Sequence, residues 1–406
     1  MRLTLSSGAR NMLSKNPPIA LLAFAFRPFF LLSAAYAASI ILGWSLLLFS
    51  GATLPISWPA LLWHSHEMLF GFVTAAIAGF LLTAMTNWTG AAPLQGKALL
   101  ALVLLWCAGR VVMWLSATLP WLVVALVDLA FLPVLAIYVA RVLLRAQNRK
   151  NLILVVILTL LFIANLLMHL GQLQLSPWLM RQGELFGLNL ITLIMVVIAG
   201  RITPAFTANW IRMHGGNPAR VIRSARMDLL AIVSTALLIP LNLGGAPGSV
   251  MAVFALAAGV FNAIRLFQWR GWLVNKEPLL WILHLGYLWI VVALLLRAAG
   301  LLLPGLSDSL WQHALGVGAM GTLILGVMTR VAMGHTGRAL QLVRFGLLIY
   351  IAIILSGLFR MLAAAQLIDY TAGVMLSAVF WITAFALFVV LYWPILSRPR
   401  ADGRPG

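Results

Sequence analysis

Six histidines lie in or beside the long apolar stretches of this 406-residue chain and are its clearest candidates for chemistry. An ionisable side chain inside a membrane costs free energy unless it is paired, bound to a metal or used in function. Neutral imidazole is a common protein ligand for haem iron and for copper. The sequence therefore predicts metal ligands among these histidines, which are His64, His66, His169, His284, His313 and His335.

Helices that cross a membrane must position these side chains, because the chain is 63% hydrophobic and only 9% charged. Soluble domains carry about 25% charged residues. The apolar runs are continuous rather than alternating, which argues against a β-barrel. About 20 helical residues cross a hydrocarbon core of about 30 Å, and this length predicts twelve spans in an all-α polytopic membrane protein. The spans are predicted at 28–50, 62–86, 97–118, 120–145, 152–173, 182–208, 226–242, 248–269, 278–302, 311–333, 342–366 and 372–396.

The distribution of basic residues supports the same count. With a cytoplasmic N terminus and twelve alternating spans, 21 of the 27 Lys and Arg residues lie on the cytoplasmic side, and only Arg181 lies in an outer loop. The positive-inside rule predicts such a bias when both termini are cytoplasmic. We therefore expect a short cytoplasmic segment at 1–27, a single helix-bundle domain at 28–396 and a cytoplasmic tail at 397–406.

Composition also excludes several classes of protein. The net charge of +19 does not indicate nucleic-acid binding, since the basic residues are scattered in short clusters between apolar runs. The single cysteine, Cys107, excludes an intrachain disulfide, a four-thiolate iron–sulfur cluster and haem attachment through C-x-x-C-H. Any haem must therefore be bound non-covalently. The sequence contains no nucleotide-binding loop and no hydrolase signature.

The predicted topology divides the histidines into two groups by depth, one near the outer surface and one toward the cytoplasm. His64 and His66 are about 200° apart around one helix, so they face opposite ways and cannot both bind one iron. We therefore expect one axial ligand from span two and another from a helix such as span ten. The alternative is that these side chains are interfacial and hydrogen-bonded to headgroups or backbone. The outer group comprises His64, His66, His169 and His313, and the inner group comprises His284 and His335.

Arginines near the inner group are candidates for binding haem propionates, because a planar guanidinium suits a carboxylate. Arg201 lies in GRITPAFT and is flanked by apolar sequence. Arg330 and Arg338 lie in MTRVAMGHTGR, where span ten ends. For Arg330 and Arg338 the alternative is that they bind no ligand and belong only to the basic residues that orient the helices in the membrane.

Two further expectations concern the helices themselves. Pro204 is expected to bend or end span six, because proline lacks a backbone N–H. Arg110 and Asp128 lie at a similar depth on adjacent antiparallel spans. We predict a structural ion pair between them rather than a proton path.

Several motifs resemble, in the same order, the signatures of the NnrS family. The resemblance covers nearly the whole chain from FAFRPFF at 24–30 onward. It implies a bacterial inner-membrane protein that contains haem and copper and is associated with nitric oxide, nitrosative stress and denitrification. It does not settle whether such a protein binds, turns over or senses nitric oxide, so enzymatic activity is left open. The motifs are WHSHEMLFGF at 63–72, GFLLTAMTNWTG at 79–90, GRITPAFT at 200–207, HLGYLW at 284–289 and HALGVGAMGTLILGVMTRVAMGHTGR at 313–338.

A weaker likeness is to the catalytic subunits of haem–copper oxidases. His64-x-x-x-Met68 on span two, and His313 followed by GVGAMG on span ten, are similar to their haem-ligand helices, which are also the second and tenth of twelve. The copper-ligand block of that superfamily has no counterpart, because spans six and seven contain no histidine. Dioxygen reduction of the oxidase type is therefore not expected, and copper would need other ligands. The candidates are His169, His66 and His284.

These observations predict a membrane protein that binds haem b and copper and handles nitric oxide or a related small molecule. His64 and His313 are the predicted axial ligands. A five-coordinate iron would bind nitric oxide, whereas two histidine ligands favour electron transfer. Two alternatives remain: a transporter or channel for a small anion or a metal, and a redox enzyme that takes electrons from quinol or another donor. The residues predicted for a second site are His284 and His335, with Arg201, Arg330 and Arg338 as partners of anionic groups.

Overall fold

Twelve helices long and apolar enough to cross a membrane make up the structure, a computed structural model that describes residues 19–404. They confirm the predicted all-α polytopic fold, and no strand occurs among the described residues. Each predicted span corresponds to one helix, and no boundary differs by more than five residues. The helices are α1 Phe26–Phe49, α2 Ala60–Thr89, α3 Gly96–Trp114, α4 Trp121–Arg145, α5 Arg149–Leu173, α6 Pro177–Met213, α7 Ala225–Leu243, α8 Gly248–Gln268, α9 Pro278–Leu302, α10 Asp308–His335, α11 Gly346–Ala364 and α12 Tyr370–Leu396.

The longest helix, α6, contains the proline that was expected to bend or end it. The helix continues for nine residues beyond Pro204, to Met213, so this proline does not end it. Membrane helices tolerate proline because neighbouring helices and Ser or Thr side chains satisfy the backbone groups that it frees.

Successive helices run in opposite directions, since short segments connect them, and their ends form two faces of the bundle. The helix α10 defines these faces, with His313 near its start and His335 at its end, about 33 Å apart at 1.5 Å per residue. We call them the His313 end and the His335 end. It stays a prediction which of the two faces is cytoplasmic. The division of the chain into segments 1–27, 28–396 and 397–406 also stays a prediction, and residues 1–18 and 405–406 lie outside the described residues.

The segment after α12 packs against the His335 end. The guanidinium of Arg400 donates from Nη1 to the carbonyl of His335 at 3.0 Å, and the Ala401 N–H donates to the carbonyl of Thr336 at 3.0 Å. The described part of the predicted tail is therefore tied to the end of α10.

The two helices that carry the predicted haem ligands lie at the centre of the bundle. The share of the most apolar segment that is buried inside the protein is 78% in α2 and 72% in α10, more than in any other spanning helix. Both helices also change to π-helical turns directly after their histidines, at Glu67–Val73 in α2 and at Ala314–Gly321 in α10. Such turns are rare and often occur at functional sites. The local structure therefore marks the segments that the sequence motifs single out.

Candidate metal and cofactor sites

The helix α2 carries His64 and His66 on opposite sides, as the sequence predicts. The His64 ring stacks on Trp44 of α1, with centroids 4.6 Å and planes 27° apart, and it borders a cavity. The fully buried His66 packs edge-on against Trp58 and His169, at centroid distances of 4.8 and 5.5 Å. The two histidines therefore belong to two separate sites.

The first site is a cavity between α1, α2, α6, α10, α11 and α12 that His64 and His313 both border. We call it the His64–His313 cavity. Its volume is about 1010 Å³ including the open space at its mouth. At Gly316 an added Cβ would meet no atom within 4 Å, so this glycine widens the cavity. Its apolar walls include Ile41, Leu69, Val317, Met320, Ala378 and Trp381.

The two histidines of this cavity differ in their hydrogen bonds. The His313 ring donates from Nδ1 to the Ser309 carbonyl at 2.8 Å, which leaves Nε2 with a lone pair. That Nε2 lies 3.1 Å from Nη2 of Arg360. The Nδ1 of His64, by contrast, is buried and has no hydrogen-bond partner. A metal-bound imidazole commonly donates its other N–H to a carbonyl or carboxylate, so only His313 has this support in place.

A buried guanidinium also faces the cavity. Arg360 is 5% exposed, and no carboxylate lies within 4.0 Å of it among the described residues. Its Nη1 is buried without a hydrogen-bond partner. The other arginine of the cavity, Arg181, is paired with Glu184 at 2.6 Å. Arg360 therefore brings an uncompensated positive charge to a cavity that is otherwise mainly apolar.

The second site is formed by His66, Asp128 and His169, and we call it the His66–Asp128–His169 cluster. One potential ligand atom from each residue lies within 4.8 Å of the others. The Asp128 Oδ2 is 3.3 Å from His66 Nε2 and 2.9 Å from His169 Nε2. All three side chains are buried, and they come from α2, α4 and α5. Two imidazoles and one carboxylate form a ligand set that suits a divalent transition metal.

Charged and polar side chains hold this cluster in place. The guanidinium of Arg110 donates from Nη1 to Glu67 at 2.7 Å and from Nη2 to Asp128, which confirms the predicted ion pair. Glu67 accepts in addition from His66 Nδ1 at 2.7 Å and from the hydroxyl of Tyr36. This geometry aims Nε2 of His66 at Asp128, because the Glu67 carboxylate fixes the ring from its other side.

The cluster has one negative charge that its arginine does not compensate, because two carboxylates face one guanidinium. The Asn165 side chain donates from Nδ2 to Asp128 at 2.8 Å, which turns its Oδ1 toward His66 Nε2 at 2.7 Å. With Nδ1 against Glu67, His66 therefore donates from both ring nitrogens. The ring is then an imidazolium, and its positive charge makes the cluster neutral.

The inner histidines lie apart from both sites and contact different residues. His284 is hydrogen-bonded to Thr207 Oγ1 through Nε2 at 2.9 Å, and its Nδ1 is buried without a partner. The ring of His335 packs on Phe26 at a centroid distance of 5.7 Å. The structure therefore gives no support to a single second site that uses both histidines.

The three arginines predicted to bind propionates also lie elsewhere. The side chain of Arg201 is exposed, the guanidinium of Arg330 lies 4.3 Å from the centre of the Phe206 ring, and Arg338 donates to the carbonyl of Thr336 at 3.3 Å. None of the three borders the His64–His313 cavity. That cavity presents Arg360 and Arg181 instead.

Sequence reasoning missed Arg360 and the role of Asp128 beside the histidines. Arg360 has the same signal that favoured Arg201, a lone arginine within apolar sequence, and one sequence contains no sign of which of them faces inward. Four further arginines with apolar neighbours in the sequence, Arg27, Arg110, Arg297 and Arg360, are each at most 6% exposed.

The fold and these sites define a polytopic α-helical membrane protein with two groups of imidazoles at one end of its bundle, one bordering a cavity and one fully buried. The chain belongs to the NnrS family, since the family model described as NnrS protein matches residues 20–400. No curated protein matches it. Membership confirms the resemblance carried by the motifs and indicates a membrane protein related to nitric oxide, in a family known for haem or metal binding.

Proposed function

We propose that this protein binds haem in the His64–His313 cavity and that nitric oxide binds there. The observation that carries the proposal is that imidazoles from the two central helices border one cavity, with the His313 N–H donated to a backbone carbonyl. A haem bound there would supply an iron site for nitric oxide. The apolar walls, the open space at Gly316 and the unpartnered Nη1 of Arg360 all suit a flat apolar ring with carboxylate substituents.

The unequal support of the two histidines gives them different roles. His313 holds its lone pair on Nε2 in a fixed direction, so it is the permanent ligand. Arg360 Nη2 now lies 3.1 Å from this Nε2; with His313 bound to iron, its guanidinium would be available to hold the carboxylates of the haem. His64 has no such support at Nδ1, so it would be the more weakly held of the two ligands and would leave room for nitric oxide at the iron.

The haem content of purified protein tests this proposal directly. We expect a red protein with a Soret band, about one haem per chain, and a shift of that band on titration with nitric oxide. A colourless protein that carries a small anion or a metal across vesicles would contradict it and would favour a transporter.

We further propose that the His66–Asp128–His169 cluster binds copper. Imidazole suits copper, and Cu²⁺ binds nitrogen and oxygen ligands more tightly than other divalent ions of the first row. The cation would take the place of the proton on His66 Nε2 and leave the hydrogen bond to Glu67 intact. Since His64 and His66 face opposite sides of α2, this site is separate from the haem site.

Replacing His169 by alanine is expected to remove copper and to leave haem in place. Because the metal displaces a proton, binding should release about one proton and weaken as the pH falls. Metal analysis, haem assay and copper titrations at several pH values in lightly buffered solution measure these effects. The matched control is His335→Ala at the other end of the bundle. Copper retained in His169→Ala, or lost equally in the control, would show that the cluster is only a structural ion network.

A quinol-linked redox function is the second candidate, and the surroundings of His284 favour it. The Thr207 hydroxyl donates to the carbonyl of Thr203 at 2.9 Å, so it accepts from His284 Nε2 and leaves Nδ1 as a bare acceptor. Nδ1 is buried beside Gly271, and His284 borders a groove of about 1220 Å³, including its open space, that Trp272 and Trp281 also line. A quinol hydroxyl would supply the missing donor, and its ring would lie against the tryptophans.

Photolabelling with an azidoquinone in nanodiscs tests this second function without reference to haem. We expect labelled peptides from 266–288, competition by unlabelled quinol, and loss of labelling in His284→Ala. The control is Val253→Ala, at a lipid-facing position of the neighbouring helix α8 that is 64% exposed. Equal labelling of both variants would rule out His284 as the quinol ligand.

A further inference from the structure

A second cavity lies closer to the middle of the bundle and is lined only by apolar side chains. It is bordered by α1, α2, α5, α6 and α10 and has a volume of about 840 Å³ including its open space. Its walls are Phe, Val, Ala, Ile, Leu and Met residues, without a polar side chain among them. Cavities of this kind stay dry and bind apolar guests such as xenon. We call it the apolar cavity.

One residue is common to the walls of the apolar cavity and of the His64–His313 cavity. This residue is Val73, which is 2% exposed and is the last residue of the π-helical turn of α2. The two spaces are therefore neighbours, and Val73 belongs to the wall that they share. A valine is small, and rotation of its side chain moves only methyl groups.

The apolar cavity also approaches the lipid. Ile77, Phe80, Ile198 and Ile202, which line it from α2 and α6, are partly exposed rather than buried. A small neutral gas dissolves in the hydrocarbon of a bilayer and needs no polar group along its way. A charged or strongly hydrated molecule cannot follow it, because burying a polar group without a partner costs about 2–7 kcal/mol.

We propose that the apolar cavity conducts an apolar diatomic gas from the bilayer to the His64–His313 cavity and that Val73 is its gate. This inference rests on the proposed function, in which the gas is nitric oxide. Gas that enters by this route does not pass the polar mouth of the His64–His313 cavity, where Arg181 and Glu184 lie.

Xenon tests the cavity without any need for haem. Crystals pressurised with xenon should show xenon among Ile194, Ala199 and Leu323, which line the apolar cavity from α6 and α10. In Ala199→Phe the added ring fills this space, so the xenon peak should disappear. An acyl chain ordered in the cavity, or no xenon in the unaltered protein, would overturn the proposal.

The rate of ligand entry tests the route. Ala199 does not border the His64–His313 cavity, so Ala199→Phe should retain haem while carbon monoxide recombines several-fold more slowly after flash photolysis. Val73→Ala, which removes the gate, should recombine faster. The matched control is Ala101→Phe at an exposed position of α3, with an unchanged rate.

The two tests separate failure of this inference from failure of the proposed function. Protein without haem but with xenon in the apolar cavity would contradict the haem proposal alone. Protein with haem and gas binding, but with equal recombination rates in Ala199→Phe and Ala101→Phe, would show that gas enters elsewhere and would overturn the conduit.

Discussion

Alanine in place of His313 is expected to abolish haem binding, whereas alanine in place of His64 should leave haem bound with an open coordination position. The difference follows from the hydrogen bond between His313 Nδ1 and the Ser309 carbonyl, which holds the His313 ring for ligation. His64 has only its stacking on Trp44 for support. Loss of such support around a metal ligand typically lowers affinity about 10–100-fold.

Optical spectra and haem stoichiometry of the two purified variants measure this difference. His313→Ala should lack a Soret band, and His64→Ala should show a high-spin spectrum and bind carbon monoxide or nitric oxide faster than the unaltered protein. The control is His214→Ala, because His214 is exposed on the His335 end, where its ring stacks on Trp210 away from both sites. Unchanged Soret bands in both cavity variants would refute the ligand assignment, and loss of haem only in His64→Ala would reverse the two roles.

Removal of Arg110 is expected to destabilise the protein more than any other single change outside the core packing. The arginine is 6% exposed and bonds to both Glu67 and Asp128. Its loss leaves buried carboxylates without their counter-charge, and breaking a buried pair in this way costs about 3–5 kcal/mol. Arg110→Ala should therefore lower both the yield and the thermal unfolding temperature.

Two further variants make this effect specific. Arg181→Ala breaks the ion pair with Glu184, in which the arginine side chain is 35% exposed, and should cost about 1 kcal/mol or less. Adding Asp128→Asn to Arg110→Ala removes the one uncompensated negative charge, so the double variant should be more stable than Arg110→Ala alone. If Arg110→Ala unfolds at the same temperature as Arg181→Ala, the network does not carry the stability assigned to it.

The two proposed sites lie on opposite sides of α2. In this respect the proposal differs from enzymes in which haem and copper bind one substrate together. The side chains of His64 and His66 start two residues apart and diverge, one to a cavity and one to a closed polar cluster. On this proposal, copper and haem do not hold nitric oxide between them. A copper ion bound as proposed would be a neighbour of the haem site, connected to it through the backbone of α2.

The sequence by itself determined the number of helices, their approximate bounds and the face of α2 on which each histidine lies. Long apolar runs, the placement of basic residues and the period of 3.6 residues are local or additive properties, so one chain is enough to obtain them. The motifs were also sufficient to recognise the family. For the same reason His64 and His313 could be paired in advance, since both lie at one depth on motif-bearing helices.

Only the tertiary structure decided which side chains meet. The depth of a residue in the membrane does not tell how its helix is rotated relative to neighbouring helices. The sequence therefore did not distinguish Arg201 from Arg360, and in the structure only Arg360 of the two faces the cavity. Likewise, the ion pair of Arg110 and Asp128 was predictable from depth, but its place beside His66 and His169 was not. Those contacts depend on how α2, α3, α4 and α5 pack together, because helix packing, rather than helix formation, places a buried carboxylate against a particular imidazole.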